Sequence, residues 1–286
     1  MAGTLPPMRL LVTGAGGMLG QDVTAAAHRA GHDVLGLARR DLDITDADAV
    51  RAAVAAAAPD AVVNCAAWTD VDGAEADEAQ AAAVNAVGPG HLASAAAATG
   101  ALLVHVSTDY VFDGTAAEPY AEDAPTNPMS AYGRTKLDGE RAVAEGAPRH
   151  AIVRSSWLFG SGGGNFVDTM LRLGAERDEV TVVDDQVGCP TYTGHLGPAL
   201  VEIAERGLTG VIHVPGGGAC SWHDLASAAF AARGLDCVIH RGRTADLGRP
   251  APRPASSVLT STRDDAPRLP GWRDGLAAHL STKVPA

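Results

Sequence analysis

Tyr132 and Lys136 are four residues apart, a spacing that places both side chains on one face of a helix. A phenol in this setting can donate a proton, because a neighbouring ammonium stabilises the phenolate that remains. We therefore expect Lys136 to lower the pKa of Tyr132 from its ordinary value of about 10. Reduction of a ketone by hydride needs such a proton donor at the carbonyl oxygen.

A hydroxyl group, that of Thr108, follows the apolar run 101–106. Functional side chains of α/β sheets lie at the carboxyl ends of strands, so Thr108 can donate a second hydrogen bond to the same carbonyl oxygen. Taken singly, both signals are weak. A tyrosine–lysine spacing is common on exposed helices, and a threonine here can simply bond to the local turn. Asp109, the next residue, is expected to form a turn.

A glycine-rich loop near the start of the chain makes the combination more specific. Residues 13–20 follow a predicted strand and open a predicted helix. The glycines allow a tight turn and the close approach of a pyrophosphate, and the helix N-terminus attracts that anion. We predict dinucleotide binding at Gly14, Gly16, Gly17, Met18, Leu19 and Gly20.

The end of the second predicted strand indicates which dinucleotide binds. A carboxylate there would bind the ribose hydroxyls and favour NAD, but this chain has Arg39 and Arg40. Either guanidinium can pair with a 2′-phosphate, although both can also be solvated loop residues. We predict NADPH as the cofactor, with NADH as a second possibility. Asp43 and Ile44 are expected at the adenine edge.

Strands and helices that alternate along the chain must position these residues. Short β-branched runs alternate with alanine-rich helical runs, which predicts an α/β fold with a Rossmann-type doubly wound parallel sheet. The predicted strands are 9–13, 33–37, 61–64, 101–106 and 150–154, and the predicted helices are 21–30, 46–58, 74–87, 89–99 and 130–144. After Gly160 the alternation weakens, with strands expected at 181–183 and 211–214. We predict a dinucleotide-binding domain over 1–158 and a smaller C-terminal α/β substrate lobe over 159–286 that returns segments to the sheet.

Composition bounds the class of protein. The 286 residues are 46% apolar, enough for a core, and 22 basic against 34 acidic residues give a net charge of −12, which argues against a nucleic-acid partner. No stretch approaches the roughly 20 apolar residues that span a bilayer. Residues 1–8 lack the pattern of a signal peptide, Met8 is a plausible natural start, and we expect a cytoplasmic protein. The cysteines are far apart and the histidines lack ligand spacing, so no metal site is predicted.

Further stretches carry a resemblance to a known family. Together with 11–15 and 132–136, they are 63–69, 71–72, 84–85, 107–114, 154–160, 165–167, 185–186, 188–191, 221–222, 253–254, Ser257 and Leu259. From Arg9 onward, the chain resembles the extended short-chain dehydrogenases and, within them, the dTDP-4-dehydrorhamnose reductases. The resemblance implies reduction of the 4-keto group of dTDP-4-dehydro-L-rhamnose to give dTDP-L-rhamnose.

The resemblance also implies roles for individual residues. Tyr132 would be the acid, Lys136 would hold the nicotinamide ribose and tune the tyrosine, and Thr108 would bind the carbonyl oxygen. Ala66 and Ala67 would pass close to the cofactor. The sugar pocket would be lined by Thr69, Val71, Tyr110 and Trp157, and the diphosphate or base would be met by Asn165, Gln186 and Arg253.

Two alternatives stay open at this point. One is a reductase of another dTDP-4-keto-6-deoxysugar, and the other is a non-catalytic NADP-binding regulatory subunit that keeps the fold. Some members of the family use a glutamate just after the glycine loop in a magnesium-linked dimer. This chain has Gln21 and Asp22 there, so neither the metal nor that dimer is carried over, and a monomer or a homodimer is expected.

Overall fold

The computed structural model describes residues 6–282, and a six-stranded parallel sheet forms its centre. The strands are β1 (Arg9–Thr13), β2 (Asp33–Leu37), β3 (Ala61–Asn64), β4 (Leu102–Thr108), β5 (His150–Ser155), β6 (Leu158–Phe159), β7 (Glu179–Val183), β8 (Val187–Gly188), β9 (Thr191–Tyr192), β10 (Gly210–His213), β11 (Cys220–Ser221) and β12 (Val238–Gly242). The helices are α1 (Met18–Arg29), α2 (Ala47–Ala57), α3 (Val71–Ala76), α4 (Glu78–Ala82), α5 (Gly88–Thr99), α6 (Ala131–Gly146), α7 (Phe166–Glu176), α8 (Thr193–Arg206), α9 (Trp222–Arg233) and α10 (Trp272–Ser281). A π-helical turn covers Ala83–Val87, and 3₁₀ turns cover Asp109–Val111 and Thr244–Leu247.

The sheet has the order β10-β5-β4-β3-β1-β2, and every neighbouring pair is parallel. The chain leaves β1 toward β2 on one side and toward β3 on the other, so the order reverses between β1 and β3. A crevice for ligands opens at such a switch point, beyond the carboxyl ends of the strands. The predicted doubly wound parallel sheet is confirmed.

Helices cover both faces of the sheet because its strands alternate their apolar side chains between the two faces. Leu10 and Val12 of β1 face α1 and α8, whereas Leu11 faces α2 and α5. All three are at most 1% exposed. This double cover is why the strands are apolar throughout rather than alternating with polar residues.

Some predicted boundaries differ from the observed ones for local reasons. The helix expected over 74–87 is divided, because the Asp77 side chain accepts a hydrogen bond from Gln80 N at 3.0 Å and begins α4 there. The fourth strand continues two residues beyond the prediction, through Thr108. The first helix starts at Met18, directly after the glycine loop.

The second half of the chain contributes to the same sheet. β10 pairs with β5, and α8 packs against α1 on the sheet face. A smaller apolar cluster beside it includes Phe159, Val167, Leu225 and Trp272. The division into two domains at residue 158 remains a prediction. Between residues 6 and 282, no helix is long and apolar enough to cross a membrane, and the prediction about a signal peptide falls partly on residues 1–5, outside this range.

Candidate active site

Three adjoining cavities form one groove along the carboxyl ends of the central strands. The glycine cavity, of about 440 Å³, lies over the loop after β1; the tyrosine cavity, of about 460 Å³, contains Tyr132; and the Trp222 cavity, of about 320 Å³, lies beyond it. Gly17 and Ala67 line both of the first two, and Tyr110 and Trp222 line both of the last two. An elongated ligand pair could therefore lie along one continuous surface.

The glycine cavity depends on close backbone approach. Gly14 has φ of 68°, and a Cβ there would lie 2.6 Å from the Ala66 nitrogen of the next strand end. A Cβ on Gly20 would lie 2.2 Å from the Gly14 carbonyl oxygen. The loop thus packs tightly between β3 and α1. No side chain among the described residues caps the first turn of α1, so its N–H groups can receive an anion.

A buried polar chain fixes the strand ends beneath this cavity. Thr13 Oγ1 donates to Asn64 Oδ1 at 2.7 Å, and the same oxygen accepts from Ala66 N at 3.1 Å. The Asn64 amide nitrogen lies 2.9 Å from His105 Nδ1 on β4. These bonds link β1, β3 and β4 and hold Ala66 against the glycine loop.

Nine of the predicted cofactor residues line the glycine cavity. Arg39 and Arg40 lie at its outer end; the Arg40 side chain is 88% exposed and its Nε is 3.6 Å from Asp41. Hydrogen bonds from Thr45 are the main cause of the lowered pKa of Asp43, and the charge of Arg39 lowers that pKa further. The full set is Gly14, Gly16, Gly17, Arg39, Arg40, Asp43, Ile44, Ala66 and Ala67.

Helix α6 carries the tyrosine and the lysine into the tyrosine cavity. Ser130 Oγ caps the helix by accepting from Gly133 N at 3.2 Å, and Glu75 Oε1 accepts from Ala131 N at 2.7 Å. A Cβ on Gly133 would lie 2.2 Å from the Tyr110 carbonyl oxygen, so glycine lets α6 pack directly on the turn after β4. That packing brings Tyr132 next to Thr108.

Tyr132 does not have the pKa that the sequence predicted. Burial of its phenol raises the pKa to about 12; a hydrogen bond with Thr108 works against this rise, and the nearby Asp109 adds to it. The expected lowering by Lys136 is therefore wrong in this structure, where the Lys136 ammonium donates to the Val106 carbonyl oxygen at 2.7 Å. Tyr132 consequently keeps its proton at neutral pH, which is the form that a general acid requires.

Lys136 is 2% exposed, and burial lowers its pKa to about 8. The carboxylate of Glu140, one turn further along α6, opposes this shift. Glu140 in turn pairs with Arg154 at 2.7 Å and accepts from Ser107 Oγ at 2.5 Å. Lys136 therefore remains mostly a cation at pH 7, supported by the carboxylate of Glu140, whose buried pairing with Arg154 the sequence did not reveal.

Thr108 closes the cavity from the end of β4. Its Oγ1 accepts from Tyr110 N at 3.2 Å and lies 3.0 Å from Asp109 Oδ1. Asp109, which was expected only to form a turn, is 1% exposed, and burial raises its pKa to about 6. It is a titratable group directly behind the predicted oxygen-binding hydroxyl.

Two stacked indoles form the far wall. The rings of Trp157 and Trp222 lie 3.6 Å apart between centroids and 3° from parallel. Trp157 has φ of 49°, a strained value for an aromatic residue, and such strain is concentrated at functional sites. The predicted residues that line the tyrosine cavity are Gly17, Met18, Leu19, Gly20, Ala67, Thr69, Val71, Thr108, Tyr110, Tyr132, Lys136 and Trp157.

The three residues predicted near the diphosphate or base are placed differently from one another. Gln186 and Arg253 line the Trp222 cavity. Arg253 makes two bonds to Asp72, at 2.5 and 2.8 Å, and its side chain is 9% exposed. Asn165 lines none of the three cavities, because its side chain caps α7 and donates to the Gly160 carbonyl oxygen at 2.9 Å.

Sequence reasoning assigned no role to Cys65 or Trp222, although each lines two of the cavities. Both belong to stretches that carried the resemblance, which was the available signal. Asn85, by contrast, is a structural hydrogen-bonding residue, since its side chain accepts from Trp68 N at 2.9 Å and donates to Thr135 Oγ1 at 3.2 Å.

The family model described as RmlD substrate binding domain matches residues 8–284. A dTDP-4-dehydrorhamnose reductase of Streptomyces griseus is 48% identical over 98% of this chain and 94% of its own length. A probable dTDP-4,6-dihydroxy-2-methyloxan-3-one 4-ketoreductase of Streptomyces antibioticus is 46% identical over 95% of this chain and 93% of its own. The crystal structure of a Bacillus anthracis dTDP-4-dehydrorhamnose reductase in complex with NADP has a TM-score of 0.94 and 35% identity, covering 97% of this chain and all of that one.

Proposed function

This chain belongs to the family described as RmlD substrate binding domain, and on that premise we propose that it reduces the 4-keto group of dTDP-4-dehydro-L-rhamnose to give dTDP-L-rhamnose, using NADPH. The observation that carries the proposal is the junction of the glycine and tyrosine cavities. There Tyr132, Thr108 and Lys136 line the wall next to the glycine loop. A regulatory subunit without activity would not need this set of side chains.

The glycine cavity fits a dinucleotide. Its loop tolerates no Cβ at Gly14 or Gly20, and the uncapped start of α1 suits a pyrophosphate. Arg39 and Arg40 suit the 2′-phosphate that distinguishes NADPH from NADH. Bound there, NADPH supplies a hydride from its nicotinamide ring.

Side chains of the protein supply the proton that the ketone oxygen requires. Tyr132, with a pKa of about 12, is protonated at neutral pH and can donate its hydroxyl proton to the ketone oxygen as negative charge develops. Lys136 remains cationic below pH 8 and lies within the same cavity, where it can bind ribose hydroxyls. Thr108 offers a second hydrogen-bond donor to the ketone oxygen.

The sugar nucleotide would occupy the tyrosine and Trp222 cavities. Trp157 would border the sugar, and Arg253 and Gln186 of the Trp222 cavity would meet the diphosphate or the base. The Streptomyces antibioticus relative keeps a second candidate open, a reductase of a different dTDP-4-keto-6-deoxysugar. We also propose that the enzyme acts in the cytoplasm as a monomer or homodimer.

The test is oxidation of NADPH, followed by absorbance, with dTDP-4-dehydrorhamnose generated in situ from dTDP-glucose. NMR of the product distinguishes dTDP-L-rhamnose from another isomer. Tyr132→Phe should bind NADPH with unchanged affinity but turn over at least about 100-fold more slowly. Tyr192→Phe, outside the three cavities, is the matched control and should retain activity. Full turnover by Tyr132→Phe would refute the assignment of the acid.

A further inference from the structure

Asp109 is a buried carboxyl group that the proposed reduction does not yet use. Its Oδ1 lies 3.0 Å from Thr108 Oγ1. Ser257 faces the same carboxyl group, yet among the described residues neither the Ser257 hydroxyl nor Oδ2 of Asp109 has a partner in good hydrogen-bond geometry. The ionisable groups around Asp109 are Tyr110, Tyr132 of α6 and Cys189 between β8 and β9, all of them acids.

The Thr108 hydroxyl has one hydrogen to donate and two lone pairs to accept with. One lone pair is taken by Tyr110 N. When Asp109 is ionised it can only accept, so the single hydrogen of Thr108 goes to Oδ1. In this state, Thr108 directs no hydrogen at a ketone.

A neutral Asp109 reverses its bond with Thr108. Its carboxyl O–H donates to Thr108 Oγ1 and fills the second lone pair, so that Thr108 must direct its hydrogen into the cavity. The separation of 3.0 Å serves both directions of the bond equally well.

We propose that Asp109 is a positioning residue for the reduction: its neutral form turns the Thr108 hydroxyl toward the ketone oxygen, and its ionised form turns it away. This inference rests on the proposed function and deepens it. Asp109 itself touches neither substrate nor cofactor, because it acts through Thr108.

The direction of the pH effect follows from burial, which raises the pKa of Asp109 to about 6. The neutral form predominates below that pH, and its fraction falls about tenfold between pH 5 and pH 7. The kcat for reduction should therefore fall by up to about tenfold over this interval. Lys136, with a pKa of about 8, produces a separate decline at higher pH.

The first experiment measures kcat and KM between pH 5 and pH 9 for the wild type and three variants. Asp109→Asn cannot ionise, so the step near pH 6 should vanish while KM is unchanged. Ser257→Ala removes a group that lowers the pKa of Asp109, so the step should move to higher pH. Asp138→Asn, an exposed carboxylate of α6, is the control and should keep the wild-type step. A step that persists in Asp109→Asn overturns the proposal.

A second experiment needs no substrate. The infrared spectrum of the wild type minus that of Asp109→Asn should show the C=O band of a protonated carboxyl group as the pH falls through about 6. Thr108→Val, which removes the donor to the carboxylate, should move that midpoint upward. If the keto sugar is not reduced but the midpoint moves in this way, the proposed function fails and the coupling between Asp109 and Thr108 stands. An unmoved midpoint, or a carboxylate still ionised at pH 5, refutes the coupling itself.

Discussion

Substitution of Glu140 by glutamine should destabilise the fold and weaken catalysis at alkaline pH together. The side chains of Glu140 and Arg154 are each 5% exposed, and Ser107 Oγ adds a third hydrogen bond to the carboxylate at 2.5 Å. The substitution leaves the guanidinium buried without a counter-charge, and removing one partner of a buried pair costs about 3–5 kcal/mol. Glutamine keeps the shape and one acceptor oxygen, so we expect a loss of about 3 kcal/mol.

Urea denaturation measures this loss as a change in the free energy of unfolding. The matched control is Glu176→Gln, which breaks the exposed pair with Arg172 on α7 and should cost no more than about 0.5 kcal/mol. Adding Arg154→Met to Glu140→Gln should recover most of the stability, because the double variant has neutral side chains at both positions and no longer contains a buried, unpaired guanidinium. A loss below about 1 kcal/mol for Glu140→Gln would contradict the assignment of the pair as a buried, coupled unit.

The same variant reports on Lys136. The Glu140 carboxylate opposes the burial that lowers the pKa of Lys136 to about 8, so its removal should move that pKa further down. Less of Lys136 is then cationic at pH 7 to 8, and kcat should decline at lower pH than in the wild type. An alkaline decline at the wild-type position would show that Glu140 stabilises the fold without tuning Lys136.

Two further substitutions test the glycine cavity. Gly20→Ala places a Cβ 2.2 Å from the Gly14 carbonyl oxygen and should abolish measurable NADPH binding by calorimetry, whereas Gly90→Ala on α5, where the nearest contact is an ordinary 3.5 Å, should bind normally. Arg39→Ala and Arg40→Ala should each be assayed for the ratio of kcat/KM with NADPH to kcat/KM with NADH. For the arginine that binds the 2′-phosphate, loss of the charged hydrogen bond should lower this ratio about 10-fold or more. An unchanged ratio in both variants would remove the reason for preferring NADPH.

The central sheet was predictable from sequence because its signals are local. Apolar runs such as that of β1 need no distant partner to be recognised as buried parallel strands, and Gly31, with φ of 84°, ends the first helix through its own conformation. The break of the third predicted helix was not predictable with equal ease. Asp77 and Glu78 fit a solvated helix face as well as a new helix start, and packing decides between them.

The candidate site was predictable to the extent that one residue type performs one task. The glycines and the Tyr132–Lys136 spacing have that character, since each requirement can be stated without knowing its neighbours. The pKa of Tyr132 does not have that character, because burial of the phenol raises it and no sequence pattern shows how deeply a side chain is buried. Asn165 illustrates the same limit, as capping a helix and binding a ligand use the same amide group.

Arg253 combines a role predicted from the sequence with a contact that only the structure reveals. Its guanidinium has five N–H donors, of which two bond to the carboxylate of Asp72 and a third to the Ala251 carbonyl oxygen. Asp72 lies 181 residues away, so no local pattern could pair them. The pairing leaves donors for a phosphate while fixing the plane of the guanidinium at the edge of the Trp222 cavity. The same pair links the loop that contains Arg253 to the start of α3, where Val71 lies in the wall of the tyrosine cavity. An arginine oriented in this way loses little side-chain freedom on binding a ligand, which lowers the entropic cost of such a contact.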